Sequence, residues 1–135
     1  MSNLSVKINS ARKSAEYLDV KSITLPSSQG EIEVLPEHMS LITELNQGKV
    51  VLEMDHNQNL DLFVSGGYAR VRDNEVNLLL DEVDLAEELV EEEIKQAITN
   101  AEEMIADSNL PPAELIQLEK RLRYERFKLH QVAWV

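Results

Sequence analysis

The chain has 135 residues, of which 43% are hydrophobic and only 4% aromatic, with 25 acidic against 13 basic side chains. A net charge of −12 argues against binding to nucleic acid or to an anionic membrane surface, because neutralising phosphates requires clustered Lys and Arg. No Cys is present, which excludes disulfides and thiolate chemistry.

Residues 4–80 alternate apolar and polar side chains over short stretches, which is the period of half-buried strands. Turn signals separate these stretches, including Gly48, Gly66-Gly67 and Asp73-Asn74. We predict eight to ten strands packed as an antiparallel β-sandwich or barrel with a core of Leu, Val and Ile. The stretches lie at residues 4–9, 17–25 (with a bulge), 31–35, 41–45, 49–54, 60–65, 68–72 and 75–80.

The apolar period changes to 3.6 residues near residue 84, which indicates helices. Asp84 and Glu87 predict a capping box, and an apolar stripe from Leu85 to Ile105 predicts the first helix. That helix should end near residues 107–109, and Pro111-Pro112 should begin a second helix. Because the connection is short, we expect an antiparallel hairpin. The sequence thus divides into a β domain (residues 1–83) and a helical hairpin (residues 84–135).

Charge is shared unequally between the two predicted helices. The first is mostly acidic, and its run from Glu91 to Glu93 is interpreted as a solvated helix face. The second helix carries five bases, which either pair with the first helix or contact an acidic protein surface elsewhere. These bases are Lys120, Arg121, Arg123, Arg126 and Lys128.

No catalytic, metal or cofactor site is predicted. His38, His56 and His130 lie in different predicted elements without a second ligand nearby. Residues 55–66 resemble the start of a calcium loop, but Leu60 and Gly66 stand where Gly and Glu are required. The sequence Ser65-Gly66-Gly67 lacks the flanking residues of a nucleophile elbow or a phosphate loop. We interpret it as a strand break where another backbone approaches closely.

Two motifs carry a family resemblance: G-E-x-x-V-L-P-x-H from Gly30 to His38, and S-G-G-Y-A-R-V from Ser65 to Val71. With the acidic and basic helices that follow, the chain resembles the epsilon subunit of F-type ATP synthase, called delta in mitochondria. The resemblance implies a ten-stranded β-sandwich followed by a helical hairpin. It also implies a non-catalytic subunit of the rotor stalk that binds the gamma subunit and the c ring.

The resemblance also assigns contacts by position. Ser28, Gln29, Gly30 and Glu31 match the loop that faces the c ring. His38 and Met39, and the break at Ser65, Gly66 and Gly67, match regions that face gamma. In many bacterial relatives the hairpin extends and inhibits ATP hydrolysis. That behaviour makes Arg121, Arg123, Arg126 and Lys128 candidate contacts with the alpha and beta subunits.

One motif departs from the family pattern. Some bacterial members bind ATP through Ile/Leu-Asp-x-x-Arg-Ala early in the first helix. Here Val90 replaces the Asp, Glu93 the Arg and Ile94 the Ala. We therefore expect no nucleotide binding, because a carboxylate repels the phosphates that the Arg would bind.

The alternative interpretation is a stand-alone acidic β-sandwich that binds proteins and dimerises through its hairpin. No signal peptide is predicted, and no apolar run is long enough to span a bilayer. We expect membrane association only through partners. The protein would then lie on the cytoplasmic side of a bacterial plasma membrane, or on the stromal side of a thylakoid membrane.

Overall fold

The computed structural model describes residues 3–55, 58–107 and 109–133. They form two compact units, residues 1–87 and residues 88–135. The first unit contains β1 (Leu4–Asn9), β2 (Ser14–Val20), β3 (Ser22–Ser27), β4 (Gly30–Val34), β5 (Leu41–Leu45), β6 (Gly48–Glu53), β7 (Asn59–Val64), β8 (Gly67–Arg72), β9 (Glu75–Leu80) and β10 (Val83–Leu85). The second contains α1 (Glu91–Ile105) and α2 (Pro112–Ala133).

The ten strands belong to one curled sheet with the order β10-β7-β6-β3-β5-β8-β9-β1-β2, and β4, which lies off this order, pairs with β3 from Ile23 to Ser27. All pairs are antiparallel except β1 with β9, which is parallel. In the described residues, the ladder between β3 and β5 has a single register position, Ser27 opposite Leu45, and the hydroxyls of Ser27 and Thr43 also lie 3.0 Å apart. The sheet turns at this narrow join, so its two halves cover one core. The predicted β-sandwich followed by two helices is confirmed.

The core consists entirely of aliphatic side chains. Seventeen buried residues form it, and all are Leu, Val, Ile or Ala. They come from alternate positions of the strands, as in β8, where Ala69 and Val71 are buried while Arg70 and Arg72 are exposed. A core without aromatic anchors was expected from the composition, and Tyr17 only packs against its edge.

The predicted single strand over residues 17–25 is wrong, because the structure divides it into β2 and β3 around Lys21. The two parts pair with different partners: β2 with β1, and β3 with β4, β5 and β6. Asp19, with φ of +58°, lies inside β2, where the register against β1 shifts between Leu4 and Val6, and Val20 still pairs with Leu4. The change of phase between Val20 and Ile23, which we interpreted as a bulge, therefore marks the passage from β2 to β3.

The predicted start of the first helix at Asp84 is also wrong. Asp84 lies in β10, opposite Phe63 of β7, and a single 3-10 turn (Ala86–Glu88) follows. Helix α1 begins only at Glu91, after Val90, and no side chain caps it. The reason is non-local, since three residues of β10 cover the edge of β7. A capping pattern in the sequence cannot reveal that pairing.

Helices α1 and α2 pack against each other in the second unit as the predicted hairpin. Ile94 and Ala101 of α1 are buried, in agreement with the predicted apolar stripe, and Leu122 of α2 is buried as well. Helix α2 begins at Pro112, as predicted, and the amide of Leu115 donates to the carbonyl of Pro111. No helix of the described residues is long and apolar enough to cross a membrane. The predictions that involve His56, Asn57 and Ser108 fall outside the described part of the chain.

Candidate functional site

The residues predicted to face gamma lie at the two ends of one strand pair. Strands β5 and β8 are antiparallel, with Leu41 opposite Val71 and Leu45 opposite Gly67. His38 and Met39 immediately precede one end of this pair, and Ser65 and Gly66 precede the other. At about 3.4 Å per residue, the two ends are separated by about 14 Å. The predicted positions therefore do not touch, and the outer face of β5 and β8 lies between them.

The loop predicted to face the c ring shares one of these ends with the glycine break. Ser27 pairs with Leu45, which in turn pairs with Gly67, so the three segments are adjacent. The amide of Ser28 donates to the carbonyl of Glu44 at 2.9 Å, which ties the turn to β5. All four turn residues, Ser28, Gln29, Gly30 and Glu31, are exposed. The structure thus presents a polar turn that is held firmly at its base.

Two backbone hydrogen bonds fix the break between β7 and β8. The amide of Ser65 donates to the carbonyl of Glu82 at 3.1 Å, and the amide of Asp81 donates to the carbonyl of Gly66 at 3.0 Å. Gly66 and Gly67 have φ of +143° and +146°, which L-residues rarely adopt. A Cβ atom on Gly67 would collide with the carbonyl of Leu79. The prediction of a close backbone approach at this break is confirmed.

Three apolar side chains that were not predicted as site residues stand on the outer face between the two predicted ends. Ile42 is 75% exposed, Tyr68 55% and Leu79 61%. Tyr68 lies directly opposite Leu79 on β9, and Ile42 is diagonal to Tyr68 because its own partner is Arg70. We call Ile42, Tyr68 and Leu79 the apolar face. The signal was present in the sequence, since all three occupy outward positions of strands where polar residues are usual.

The apolar face is flanked by an exposed apolar side chain at one end and by a shallow groove at the other. At one end, Met39 is 83% exposed in the loop that leads into β5. At the other end, a shallow groove of about 400 Å³ is lined by residues 9–11, 67–68 and 79–81. Exposed apolar side chains that adjoin in this way mark interaction surfaces more often than single ones do. This part of the molecule is therefore the strongest candidate for a protein-binding surface.

The loop between β4 and β5 is tied to the turn between β8 and β9. The amide of Glu37 donates to Oδ1 of Asn74 at 2.7 Å, and Nδ2 of Asn74 donates to Oε1 of Glu37 at 2.9 Å. Within the loop, the amide of His38 donates to the carbonyl of Leu35, and Nδ1 of His38 lies 2.7 Å from the carbonyl oxygen of Met39. The loop that carries His38 and Met39 therefore has a defined conformation.

The four predicted contact bases on α2 do not share one stripe. At 100° per residue, Arg121 and Lys128 lie on one side of the helix, and Arg123 and Arg126 on another. Arg126 forms an ion pair with Glu102 of α1 at 3.2 Å, and both side chains are about half exposed. Lys128 is buried, with its Nζ 3.1 Å from Oε1 of Glu125 and 4.6 Å from the centre of the Tyr124 ring. Only Arg121, Arg123 and Arg126 are exposed.

Within the described ranges, no group of three or more His, Asp or Glu side chains could hold a metal ion. A second groove of about 400 Å³ lies on the outer face of β3, β4 and β6 and includes Glu33 and Glu53. In this groove, Oγ of Ser22 donates to Oε2 of Glu53 at 3.0 Å. The grooves are shallow and open, and they do not bring acid, base and nucleophile together as an active site requires.

Comparison with known proteins identifies the family. A family model for the β-sandwich domain of the ATP synthase delta/epsilon chain matches residues 3–86. The ATP synthase epsilon chain of Dichelobacter nodosus is 35% identical over 114 residues, which cover 84% of this chain and 77% of that protein. The epsilon chain of Thioalkalivibrio sulfidiphilus is 32% identical over 133 residues, which cover 93% and 94%. The chloroplastic epsilon chain of Zea mays is 31% identical over 121 residues, covering 87% and 85%.

Solved structures share the fold. A chain of the Euglena gracilis mitochondrial ATP synthase superimposes with a TM-score of 0.71 at 24% identity and covers 98% of this chain, which in turn covers 82% of that one. A chain of the Tetrahymena thermophila mitochondrial ATP synthase central stalk and c-ring gives a TM-score of 0.55 at 13% identity, with coverage of 95% and 97%. The family match spans the β domain that carries the apolar face, and the relatives extend into the helices. The chain therefore belongs to the delta/epsilon family of ATP synthase subunits.

Proposed function

We propose that the chain is a non-catalytic subunit of the central rotor stalk of an F-type ATP synthase, where it joins the gamma subunit to the c ring. The observation that carries this proposal is the apolar face of Ile42, Tyr68 and Leu79. Each of these side chains is more than half exposed, and none of them belongs to the buried core of the sheet. A surface of this kind favours a permanent protein partner, since water contact with it is unfavourable. Gamma is the partner that the family resemblance assigns to this region.

The c ring is proposed as the partner of the turn formed by Ser28, Gln29, Gly30 and Glu31. This turn is exposed and polar, in contrast to the apolar face, and lies at the end of the sandwich next to the glycine break. A rotor subunit needs two surfaces that can be occupied together. The positions of the turn and of the apolar face meet that need, because one is at an end of the strands and the other along their outer side.

The hairpin is proposed as a regulatory arm that can inhibit ATP hydrolysis. One contact between its two helices, beside their buried apolar side chains, is an exposed ion pair between Arg126 and Glu102, and exposed pairs of this kind contribute only about 0.2–1 kcal/mol. Such a pair can be exchanged for contacts with acidic loops of the alpha and beta subunits at little free energy. The protein would then act on the cytoplasmic or stromal side of its membrane, bound there through its partners.

Binding to purified gamma tests the central proposal. We expect the double variant Tyr68→Ser with Leu79→Ser to weaken gamma binding by roughly 10- to 100-fold, because two half-exposed apolar side chains lose their burial. Leu18→Ser is the matched control, since Leu18 is 59% exposed on β2, outside the apolar face. Thermal unfolding should show that all variants fold. Gamma binding that is equal in the double variant and the native chain would contradict the proposal.

The alternative of a stand-alone dimer makes a different prediction in the same experiment. A chain that dimerises through its hairpin would sediment as a dimer and would not change its mass distribution when gamma is added. The proposed rotor subunit should instead sediment as a monomer alone and form a one-to-one complex with gamma. Analytical ultracentrifugation of the full chain, with and without gamma, separates the two.

A further inference from the structure

Two reciprocal hydrogen bonds join the loop that precedes β5 to the turn that follows β8. The amide of Glu37 donates to Oδ1 of Asn74 at 2.7 Å, and Nδ2 of Asn74 donates to Oε1 of Glu37 at 2.9 Å. The two residues are 37 positions apart in the sequence. One side chain amide therefore satisfies both the backbone and the side chain of the same loop residue.

The backbone at Glu37 requires such support. Glu37 has φ of +69°, a left-handed conformation that is unfavourable for a residue with a Cβ atom and an unbranched charged side chain. Without an external contact, leaving this conformation would lower the free energy of the loop. The bond from the Glu37 amide to Asn74 holds it there, and the loop's next residues, His38 and Met39, follow from that geometry.

Asn74 itself is held from several directions. It has φ of +62°, and with Asp73 at +51° it forms the two-residue turn that joins β8 to β9. Asn and Asp tolerate this conformation better than other residues with side chains, so the turn is unstrained. The carbonyl of Asn74 also accepts a hydrogen bond from the amide of Ser5 at 2.9 Å, where β1 begins. Asn74 is thus a rigid support against which the loop is placed.

We propose that Asn74 is a positioning residue for recognition of gamma, acting through Glu37 to present His38 and Met39 in one conformation beside the apolar face. This inference rests on the proposed function, because it concerns the same surface and the same partner. Met39 is the most exposed large apolar side chain of the described residues, at 83%, and gains most from being ordered before binding. A loop that is ordered in advance loses less conformational entropy when the complex forms.

Replacement of Asn74 by Gly removes the amide without straining the turn, because Gly adopts a positive φ freely. Asp73→Gly is the matched control in the same turn, and it leaves Asn74 in place. We expect Asn74→Gly to abolish the hydrogen-exchange protection of the Glu37 amide and to weaken gamma binding about three- to tenfold. Asp73→Gly should keep both properties close to those of the native chain. Exchange is read by NMR and affinity by calorimetry on the full chain.

A charge-balanced rescue separates positioning from a general effect on stability. Asn74→Asp alone should weaken binding, because its carboxylate repels that of Glu37. Glu37→Gln alone should have little effect, since the Gln carbonyl oxygen still accepts from Nδ2 of Asn74. The combination of Asn74→Asp with Glu37→Gln keeps a carboxylate acceptor for the amide of residue 37 and restores a side-chain bond, now donated by the Gln amide to the Asp carboxylate. We therefore expect the double variant to recover affinity and amide protection together.

The outcomes distinguish this inference from the function on which it rests. If the native chain does not bind gamma, the proposed function fails. If the native chain binds and Asn74→Gly loses amide protection but keeps full affinity, the function stands and the positioning role is overturned. Failure of the rescue double variant to regain affinity, with the amide of residue 37 protected again, would also overturn it. Recovery of both properties supports the role of Asn74 as stated.

Discussion

The backbone of Gly67 lies against the carbonyl of Leu79 so closely that no side chain fits between them. This contact brings β8 onto β9 at the point where the apolar face begins. We predict that Gly67→Ala destabilises the protein by more than about 3 kcal/mol, because the left-handed backbone is strained and the Cβ atom also displaces β9. Urea unfolding of the full chain, followed by circular dichroism, gives the change.

Gly30→Ala is the matched comparison for this prediction. Gly30 also has a positive φ, +114°, but no atom lies within 4 Å of the position that its Cβ would take. Only backbone strain should then act, with a loss of about 1–3 kcal/mol. Equal losses at the two positions would show that the contact with Leu79 is not the dominant cause.

The proposed contact with the c ring can be tested directly, because the chain contains no Cys. A single thiol introduced by Glu31→Cys should form a zero-length disulfide with a Cys placed in the polar loop of the c subunit within the assembled enzyme. Asp73→Cys is the control, since Asp73 is also exposed but follows the far end of β8, away from the glycine break. Cross-linking of both variants at the same rate would contradict a specific contact of the turn.

Most of the fold could be predicted from the sequence because its determinants are local. Period-2 alternation located the strands β5, β8 and β9 to within one residue, and Pro112 located the start of α2. The failures have one physical origin, which is pairing between distant segments. Strand β10 forms because residues 83–85 cover the edge of β7, and β2 separates from β3 because the two pair with different strands.

The candidate site was less accessible to sequence reasoning. The motifs located the ends of the surface, at His38 and at Gly66-Gly67, but not the apolar face between them. The side chains of that face adjoin because the register between β8 and β9 places Tyr68 opposite Leu79. This register is a property of the paired strands and is not visible in either strand alone. The contact of Asn74 with Glu37 was likewise invisible, since it joins residues 37 positions apart. Sequence patterns identify outward positions, whereas the structure is needed to say which of them adjoin.

We predict that the chain does not bind ATP in the submillimolar range. The first turn of α1 carries Glu91, Glu92 and Glu93, all exposed, and Glu93 stands at the position that the family resemblance matches to an ATP-binding Arg. Carboxylates at a helix N-terminus neutralise the partial positive charge that would otherwise attract phosphate. Isothermal titration with MgATP should give no heat beyond dilution. A saturable signal below 1 mM, lost on truncation of the hairpin, would contradict the prediction.

The proposed inhibition by the hairpin predicts faster ATP hydrolysis by an assembled complex when exposed bases of α2 are reversed. The variant carries Arg121→Glu, Arg123→Glu and Arg126→Glu, and leaves the buried Lys128 unchanged. Because Arg126 also pairs with Glu102, the reversal removes that contact between the helices, at about 0.2–1 kcal/mol. Arg126→Glu with Glu102→Arg restores that pair and serves as the control. If inhibition depends on binding to the catalytic subunits, only the triple reversal should accelerate hydrolysis.

Removal of the hairpin tests the same proposal without changing any charge in the β domain. The cut belongs after Glu88, since a cut at Glu82 would also remove β10 and expose the edge of β7. The truncated chain should still bind gamma, because the apolar face and the Asn74–Glu37 pair are complete within residues 1–88. We expect the complex that contains it to hydrolyse ATP several-fold faster than the complex with the full chain. Equal rates in two fully assembled complexes would mean that the hairpin supports the stalk but does not inhibit.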